Sequence, residues 1–211
     1  MIEFVFLCEG SSDEGLAIHL RSLLIESGVS GVLARTPHTK KSSVRDKLHL
    51  VAGLEDQPHL VFIHRDADAG SSDARIEEIR TAAQELEICA RVVPVVPVQE
   101  MEAWLLADRT ALEGLAGRDI PYDEVPRLAG LEDLSRPKEV LQRVLVADGG
   151  RRRRRRSSRG GRSFEHHRQL LLQRLDIHGP VSQLPAWKSM VQEIRQKVVD
   201  LELDASSTDP L

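Results

Sequence analysis

The sequence has few cysteines, few aromatic residues and no long apolar run. Cys8 and Cys89 are the only cysteines among 211 residues, which excludes a disulfide framework and a cysteine metal cluster and fits a reducing cytoplasm. No apolar run approaches the roughly 20 residues needed to cross a bilayer. The N-terminus lacks the basic start of a signal peptide. These absences predict a cytoplasmic protein without a membrane segment.

Two nucleotide-binding motifs are also missing. The turn after the first predicted strand reads CEGSS over residues 8–12 and lacks the G-x-G-x-x-G pattern of a Rossmann dinucleotide site. The same turn is acidic where phosphate binding favours bare backbone amides, and no P-loop is present anywhere in the chain. We therefore expect neither a dinucleotide cofactor nor an ATPase site within this chain.

Charge is distributed unevenly along the chain. Residues 1–150 contain 16 Lys and Arg against 26 Asp and Glu, whereas residues 151–211 contain 13 against 7. Eight arginines and no acid lie within residues 151–162, and they are Arg151, Arg152, Arg153, Arg154, Arg155, Arg156, Arg159 and Arg162. Clustered arginines repel one another, so we expect a mobile loop over about 149–163 that binds a polyanion such as nucleic acid.

Hydrophobic periodicity predicts an α/β fold. Apolar runs such as Ile2 to Cys8 and Leu60 to Ile63 read as buried strands, and they alternate with amphipathic helical segments. Residues 1–100 thus read β-α-β-α-β-α-β, which implies a mostly parallel sheet of four strands flanked by helices. Pro94 and Pro97 place the fourth strand at a sheet edge or make it irregular. We predict a catalytic domain over 1–108 and a helical extension over 109–211.

Acidic residues follow three of the predicted strands. Glu9 comes after the first strand, Asp66 and Asp68 after the third, and Glu100 after the fourth. The carboxyl ends of parallel strands meet at one edge of a sheet, where ligands bind in such folds. Close carboxylates repel unless a cation or proton lies between them, and Mg²⁺ or Mn²⁺ prefers oxygen ligands. The alternative for Asp66 and Asp68 alone is a solvated acidic turn.

Three segments resemble TOPRIM domains, which occur in topoisomerases, primases and OLD-family nucleases. The segment FVFLCEGSSD, residues 4–13, resembles their opening strand, and VFIHRDAD, residues 61–68, resembles their D-x-D strand. Glu9 with Asp13 is closest to the OLD-type branch. The segment VQEMEAWLLAD, residues 98–108, together with Pro137 and Lys138, resembles uncharacterised prokaryotic TOPRIM-like proteins, some encoded beside ATPases.

The resemblance implies a TOPRIM-like, Rossmann-like sheet and a set of site residues. Glu9 is expected to be a general acid/base or metal ligand, and Asp66 and Asp68 metal ligands. Asp13 with Glu100 or Glu102 would complete a second metal position, and Lys138 would stabilise the developing charge on phosphate, unless it is only an exposed lysine. Between the two glutamates we favour Glu100, since it is nearer the strand end, and expect Glu102 to form a surface pair or to cap neighbouring amides.

These observations lead to one main hypothesis and two alternatives. The main hypothesis is Mg²⁺- or Mn²⁺-dependent hydrolysis of nucleic acid, DNA in preference to RNA, in a defence or repair system with an ATPase partner. Strand passage is rejected because Tyr122, the only tyrosine, lies in a loop rich in proline and acids. The first alternative is a non-catalytic, metal-binding subunit that docks an ATPase or nucleic acid. The second is a phosphohydrolase or transferase acting on a nucleotide.

Overall fold

The computed structural model describes most of the chain. Backbone and side chains are described for residues 1–39, 41, 43–67, 72–146, 164–203, and backbone alone for 157–163 and 204–207. Asp68 and the arginines at 151–156 lie outside the described residues.

Four parallel strands form one sheet. They are β1 (Ile2–Leu7), β2 (Val32–Arg35), β3 (Leu60–His64) and β4 (Val92–Val95). Their order is β2-β1-β3-β4, with β1 paired to both β2 and β3. All strands therefore end at the same edge of the sheet. The α/β prediction is confirmed, and so is the edge position of β4, where Pro94 has no neighbour to which it would need to donate.

Among the described residues, eight α-helices connect and cover the strands. They are α1 (Ala17–Glu26), α2 (Val44–Ala52), α3 (Ser72–Glu85), α4 (Met101–Leu105), α5 (Arg109–Ala116), α6 (Pro137–Val146), α7 (Ser157–Gln173) and α8 (Pro185–Ser207). A 3₁₀ segment, Ser11–Leu16, leads from β1 into α1. No helix in the described part of the chain is long and apolar enough to cross a membrane.

The sheet separates two apolar cores. On one face Val5, Leu7, Val61 and Ile63 pack with residues of α2 and α3. On the other face the side chains of Phe4, Phe6 and Phe62 join α1 and the helices that follow β4, and this larger core includes Trp104, Trp187, Leu172, Ile194 and Val198. The predicted helical extension thus packs directly on the sheet, because its apolar stripes cover the face that α2 and α3 leave exposed.

Several element boundaries differ from the predictions. The apolar spacing of Leu16, Leu20, Leu23 and Leu24 predicts a helix over about 12–27, but the segment opens as 3₁₀ and becomes α-helical only at Ala17. The segment EMEAWLLAD predicts one helix over 100–108, but α4 ends at Leu105. The Asp108 side chain then accepts a hydrogen bond from the Ala111 amide and starts α5. Helix α7 begins at Ser157, not at Phe164, so Arg159 and Arg162 belong to its first turns and not to a loop.

Candidate functional site at the carboxyl edge of the sheet

Hydrogen bonds link the carboxylates that follow β1 and β3 to the start of α4. The Asp66 amide donates to Glu9 Oε2 at 2.9 Å. Asp66 Oδ1 accepts a hydrogen bond from the Met101 amide at 3.0 Å, which places the adjacent residue Glu100 at the same edge. Sequence order alone predicted that the three acidic positions would converge, and the register of the parallel strands produces this convergence.

His64 contacts both Glu9 and Asp66 from the buried end of β3. Its side chain is completely buried at the end of β3, with Nε2 3.1 Å from Asp66 Oδ1. The Glu9 amide donates to Nδ1 at 3.4 Å, so the two ring nitrogens contact the residues that follow β1 and β3. Alternation with Arg65 across the sheet predicts a packed residue at this position. His64 is packed, but it also fixes the direction of the Asp66 carboxylate.

Arg168 of α7 binds the other two predicted acidic ligands. Its Nη2 donates to Asp13 Oδ1 at 2.6 Å and its Nε to Glu102 Oε1 at 2.8 Å. Nη1 donates to the Ser12 carbonyl oxygen at 2.8 Å. The side chains of Arg168, Asp13 and Glu102 are 4%, 8% and 4% exposed. The expected surface pairing of Glu102 is wrong, because its carboxylate lies in a buried ion cluster.

Burial and neighbouring charge both affect Arg168. Burial by itself lowers the pKa of the guanidinium, but the Glu102 and Asp13 carboxylates outweigh burial and raise this pKa above its ordinary value. The side chain therefore stays protonated throughout the physiological range. One positive charge faces two carboxylates, and the cluster retains a net negative charge next to His64, whose Nδ1 is 3.6 Å from Asp13 Oδ2.

Glu100 occupies the position before α4 and contacts α6. Its Oε2 accepts a hydrogen bond from the Lys138 amide at 3.0 Å. Burial raises the pKa of Glu100, the bond from the Lys138 amide opposes this, and the negative charges of Glu102 and Asp66 raise the pKa further. The Lys138 side chain is exposed in the first turn of α6. Its contribution to the edge is the backbone amide, and the predicted role of its ammonium in binding phosphate stays a prediction.

A buried lysine lies beneath the loop that carries Glu9. Lys47 of α2 is 1% exposed, and its Nζ donates to the Cys8 carbonyl oxygen at 2.8 Å. Burial lowers the pKa of Lys47, while the Glu9 carboxylate acts in the opposite direction. Arg65 adds a second cation, with Nη1 3.8 Å from Glu9 Oε1. Glu9 is therefore held between two positive side chains and the Asp66 amide.

The described residues provide some, but not all, of the ligands that a divalent ion needs. No three histidine, cysteine or acidic side chains within the described residues are arranged to hold a metal, and Asp68 is outside them. Asp66 Oδ2 and Glu100 Oε1 nevertheless have no hydrogen bond within the described part of the chain. Two hard oxygen donors with excess negative charge around them are suitable for Mg²⁺ or Mn²⁺. Glu9, Asp66 and Glu100 thus remain the candidate ligands here.

Helix α7 projects toward this edge. Arg168 contacts Ser12 and Asp13 near the end of β1, and one turn later the Leu172 carbonyl oxygen lies 2.6 Å from His19 Nε2, farther along α1. The helix therefore runs away from the edge toward its C-terminus. At about 1.5 Å per residue its first residue, Ser157, lies roughly 16 Å before Arg168 along the helix axis. The arginines at 151–156 precede this end in the sequence.

Arg168 and Lys47 were missed at the level of sequence, although both had a signal. Arg168 lies on a helical stripe with Phe164, Leu171 and Leu175, and Lys47 lies between Val44 and Leu48 on the buried stripe of α2. A lone cation within an apolar stripe is buried only when an acceptor or an acid meets it. Such an interruption indicates a charged partner, but not which one.

Comparison with known proteins gives one match. The chain matches DUF4276, a domain of unknown function, over residues 8–195. A comparison with curated proteins found no match, and a comparison with solved structures found none either. The matched region contains Glu9, the Asp66 strand end, α4 and Arg168, and extends from the end of β1 into α8. The chain therefore belongs to the DUF4276 family.

Proposed function

We propose that this protein hydrolyses phosphodiester bonds of nucleic acid with Mg²⁺ or Mn²⁺, and that the carboxylates at the carboxyl edge of the sheet hold the ion. The observation that carries the proposal is the linkage of three strand ends through Asp66: its amide binds Glu9 and its Oδ1 binds the Met101 amide next to Glu100. An acidic site fixed by backbone amides on parallel strands is rigid, as catalysis requires.

The residues of the site have separate roles in metal binding and in proton transfer. Asp66 and Glu100, with Asp68, would hold the ion, which when bound neutralises charge that develops on the phosphate. Glu9 takes the proton from the attacking water as the new bond to phosphorus forms. The bond from phosphorus to the leaving oxygen breaks, and that oxygen takes a proton from solvent. Arg65 and Lys47 place positive charge near the Glu9 carboxylate.

The direction of α7 supports nucleic acid as the substrate. Arg168 of α7 contacts Ser12 and Asp13 near the acidic edge, and eight arginines lie within or just before the first turns of this helix in the sequence. A polyanion bound by those arginines would pass near the acidic edge. The charge asymmetry of the chain supports DNA or RNA over a free nucleotide, because eight clustered arginines match the many phosphates of a polynucleotide and not the few of a single nucleotide.

A non-catalytic role is the second candidate. It is favoured by the lack, within the described residues, of three ligands positioned for a metal, and by the neutralisation of Asp13 and Glu102 by Arg168. In this case the edge would serve to dock nucleic acid or an ATPase partner. The two candidates differ in one property, since only the first requires that bonds be broken by the isolated chain.

The test is cleavage of mixed single- and double-stranded DNA and RNA by purified protein with Mn²⁺ or Mg²⁺. The variants are Glu9→Gln and Asp66→Asn, and the control is Asp133→Asn, which removes an exposed carboxylate. Glu9→Gln should reduce the rate about 10²–10⁴-fold, the usual contribution of a general acid/base. Asp66→Asn should abolish the metal-dependent rate, and Asp133→Asn should match wild type. Full activity in Asp66→Asn would refute the proposal, and binding without cleavage by wild type would favour the docking role.

A further inference from the structure

The Arg168 cluster combines two features that rarely occur together. It brings two carboxylates, from the loop after β1 and from α4, to one buried point beside the candidate metal edge. It also fills that point with a cation from a distant helix, 155 residues from Asp13 and 66 residues from Glu102 in the chain. Without the guanidinium, these oxygens would form an acidic pair adjacent to Asp66 and Glu100.

We propose that Arg168 occupies the second cation position of this site, so that the protein holds at most one divalent ion and Asp13 and Glu102 are closed to metal. The inference deepens the proposed function and rests on it only for the ion at Asp66. Arg168 acts as a positioning residue, because it touches the site residues and not the reacting phosphate.

Geometry supports the exclusion of a second ion. Arg168 Nη2 and Nε bind one oxygen each of Asp13 and Glu102 at 2.6 and 2.8 Å, and Nη1 binds the Ser12 carbonyl oxygen. A divalent ion bound to those oxygens would lie between the two carboxylates, where the guanidinium is, and would have to displace it. A displaced guanidinium that stays buried without its partners is strongly unfavourable, so the ion and the arginine exclude each other.

The arrangement also has a consequence for the mechanism. In a two-metal site both ions bridge the phosphate and clamp the attacking and leaving oxygens. A guanidinium fixed by three hydrogen bonds supplies positive charge at constant geometry, but it offers no exchangeable position for water. Activation of the attacking water would therefore fall to Glu9, while Asp66 and not Asp13 would hold the ion.

The experiment counts bound Mn²⁺ from the electron paramagnetic resonance signal of the free ion during titration. Wild type is compared with Arg168→Ala and with the neutral triple variant Asp13→Asn, Glu102→Gln, Arg168→Met. We expect at most one ion in wild type, one more in Arg168→Ala, and the wild-type number in the triple variant. A role of Arg168 in folding alone would leave the number of ions unchanged.

Two results would overturn the inference: two ions in wild type, or no additional ion in a folded Arg168→Ala protein. If Arg168→Ala does not fold, the triple variant decides, because the loss of an ion in it would show that Asp13 or Glu102 is a ligand in wild type. Failure of the proposed function gives a different result. Wild type would then bind no ion, while Arg168→Ala would still gain one.

Discussion

Replacing Arg168 by methionine tests the energetic importance of the buried ion cluster. The change keeps an unbranched apolar stem in place but removes three hydrogen bonds of 2.6–2.8 Å and leaves Asp13 and Glu102 without their cation. Breaking a buried ion pair by removing one partner usually costs about 3–5 kcal/mol. We expect a loss of that size in the free energy of unfolding.

This loss would be large for the whole protein. Domains are typically stable by about 5–15 kcal/mol, and for a chain of this size each kcal/mol changes the melting temperature by about 2–4 °C. The melting temperature of Arg168→Met should therefore fall by about 6–20 °C. Urea titration followed by tryptophan fluorescence measures the free energy directly, since Trp104 and Trp187 are both buried and lose their packing on unfolding.

Two further proteins make the result specific to the cluster. Arg174→Met removes an exposed arginine just past the end of α7 and should stay within about 0.5 kcal/mol of wild type. Adding Asp13→Asn and Glu102→Gln to Arg168→Met removes all three buried charges and should recover most of the loss, because neutral replacements of buried ion pairs are often tolerated. A loss below about 1 kcal/mol in Arg168→Met, or no recovery in the triple variant, would refute this reasoning.

Three other predictions concern metal, pH and salt. Mn²⁺ at a hundred times its Kd should stabilise wild type and Glu102→Gln by about 2.7 kcal/mol. It should not stabilise Glu100→Gln. An equal rise in melting temperature for both variants would exclude Glu100 as a ligand. Burial lowers the pKa of His19 below its ordinary value, and its hydrogen bond to the Leu172 carbonyl oxygen opposes this shift. As the pH falls, the unfolded chain therefore binds a proton at His19 before the folded protein does. Wild type should lose stability as pH falls below about 6.5. Urea titrations at pH 7.5 and 5.5 should show a smaller loss for His19→Gln, and equal losses would contradict this. Replacing the eight arginines at 151–162 by serine should reduce the slope of log DNA affinity against log salt concentration by about 0.9 per lost phosphate contact. An unchanged slope would show that these arginines do not bind DNA.

The sequence predicted those features of the site that depend on local pattern. Hydrophobic periodicity and turn residues located the strands. The expected parallel arrangement of these strands then implied that Glu9, Asp66 and Glu100 would share one edge of the sheet. The choice of Glu100 over Glu102 rested on its nearness to the end of the fourth strand, and Glu100 is the residue immediately before α4. Whether Glu100 binds metal stays a prediction, since it depends on Asp68 and on an ion.

The remaining features depend on contacts between distant segments. Nothing near Asp13 in the sequence indicates that Arg168 will bind it, because that contact follows from the packing of α7 on α1, where Leu172 lies against Gly15 and near His19. The same contact explains why Glu102 was wrongly expected at the surface. An acid on a short helix looks solvent-exposed until its cation is known.

The central claim is that the carboxyl edge of the sheet holds a divalent ion between the carboxylates that follow β3 and β4. Anomalous diffraction from crystals soaked in Mn²⁺ measures the position of the ion directly. The account predicts one anomalous peak in contact with Asp66 and Glu100, with Arg168 still bound to Asp13 and Glu102. A peak between Asp13 and Glu102, or no peak at this edge at saturating Mn²⁺, would contradict it.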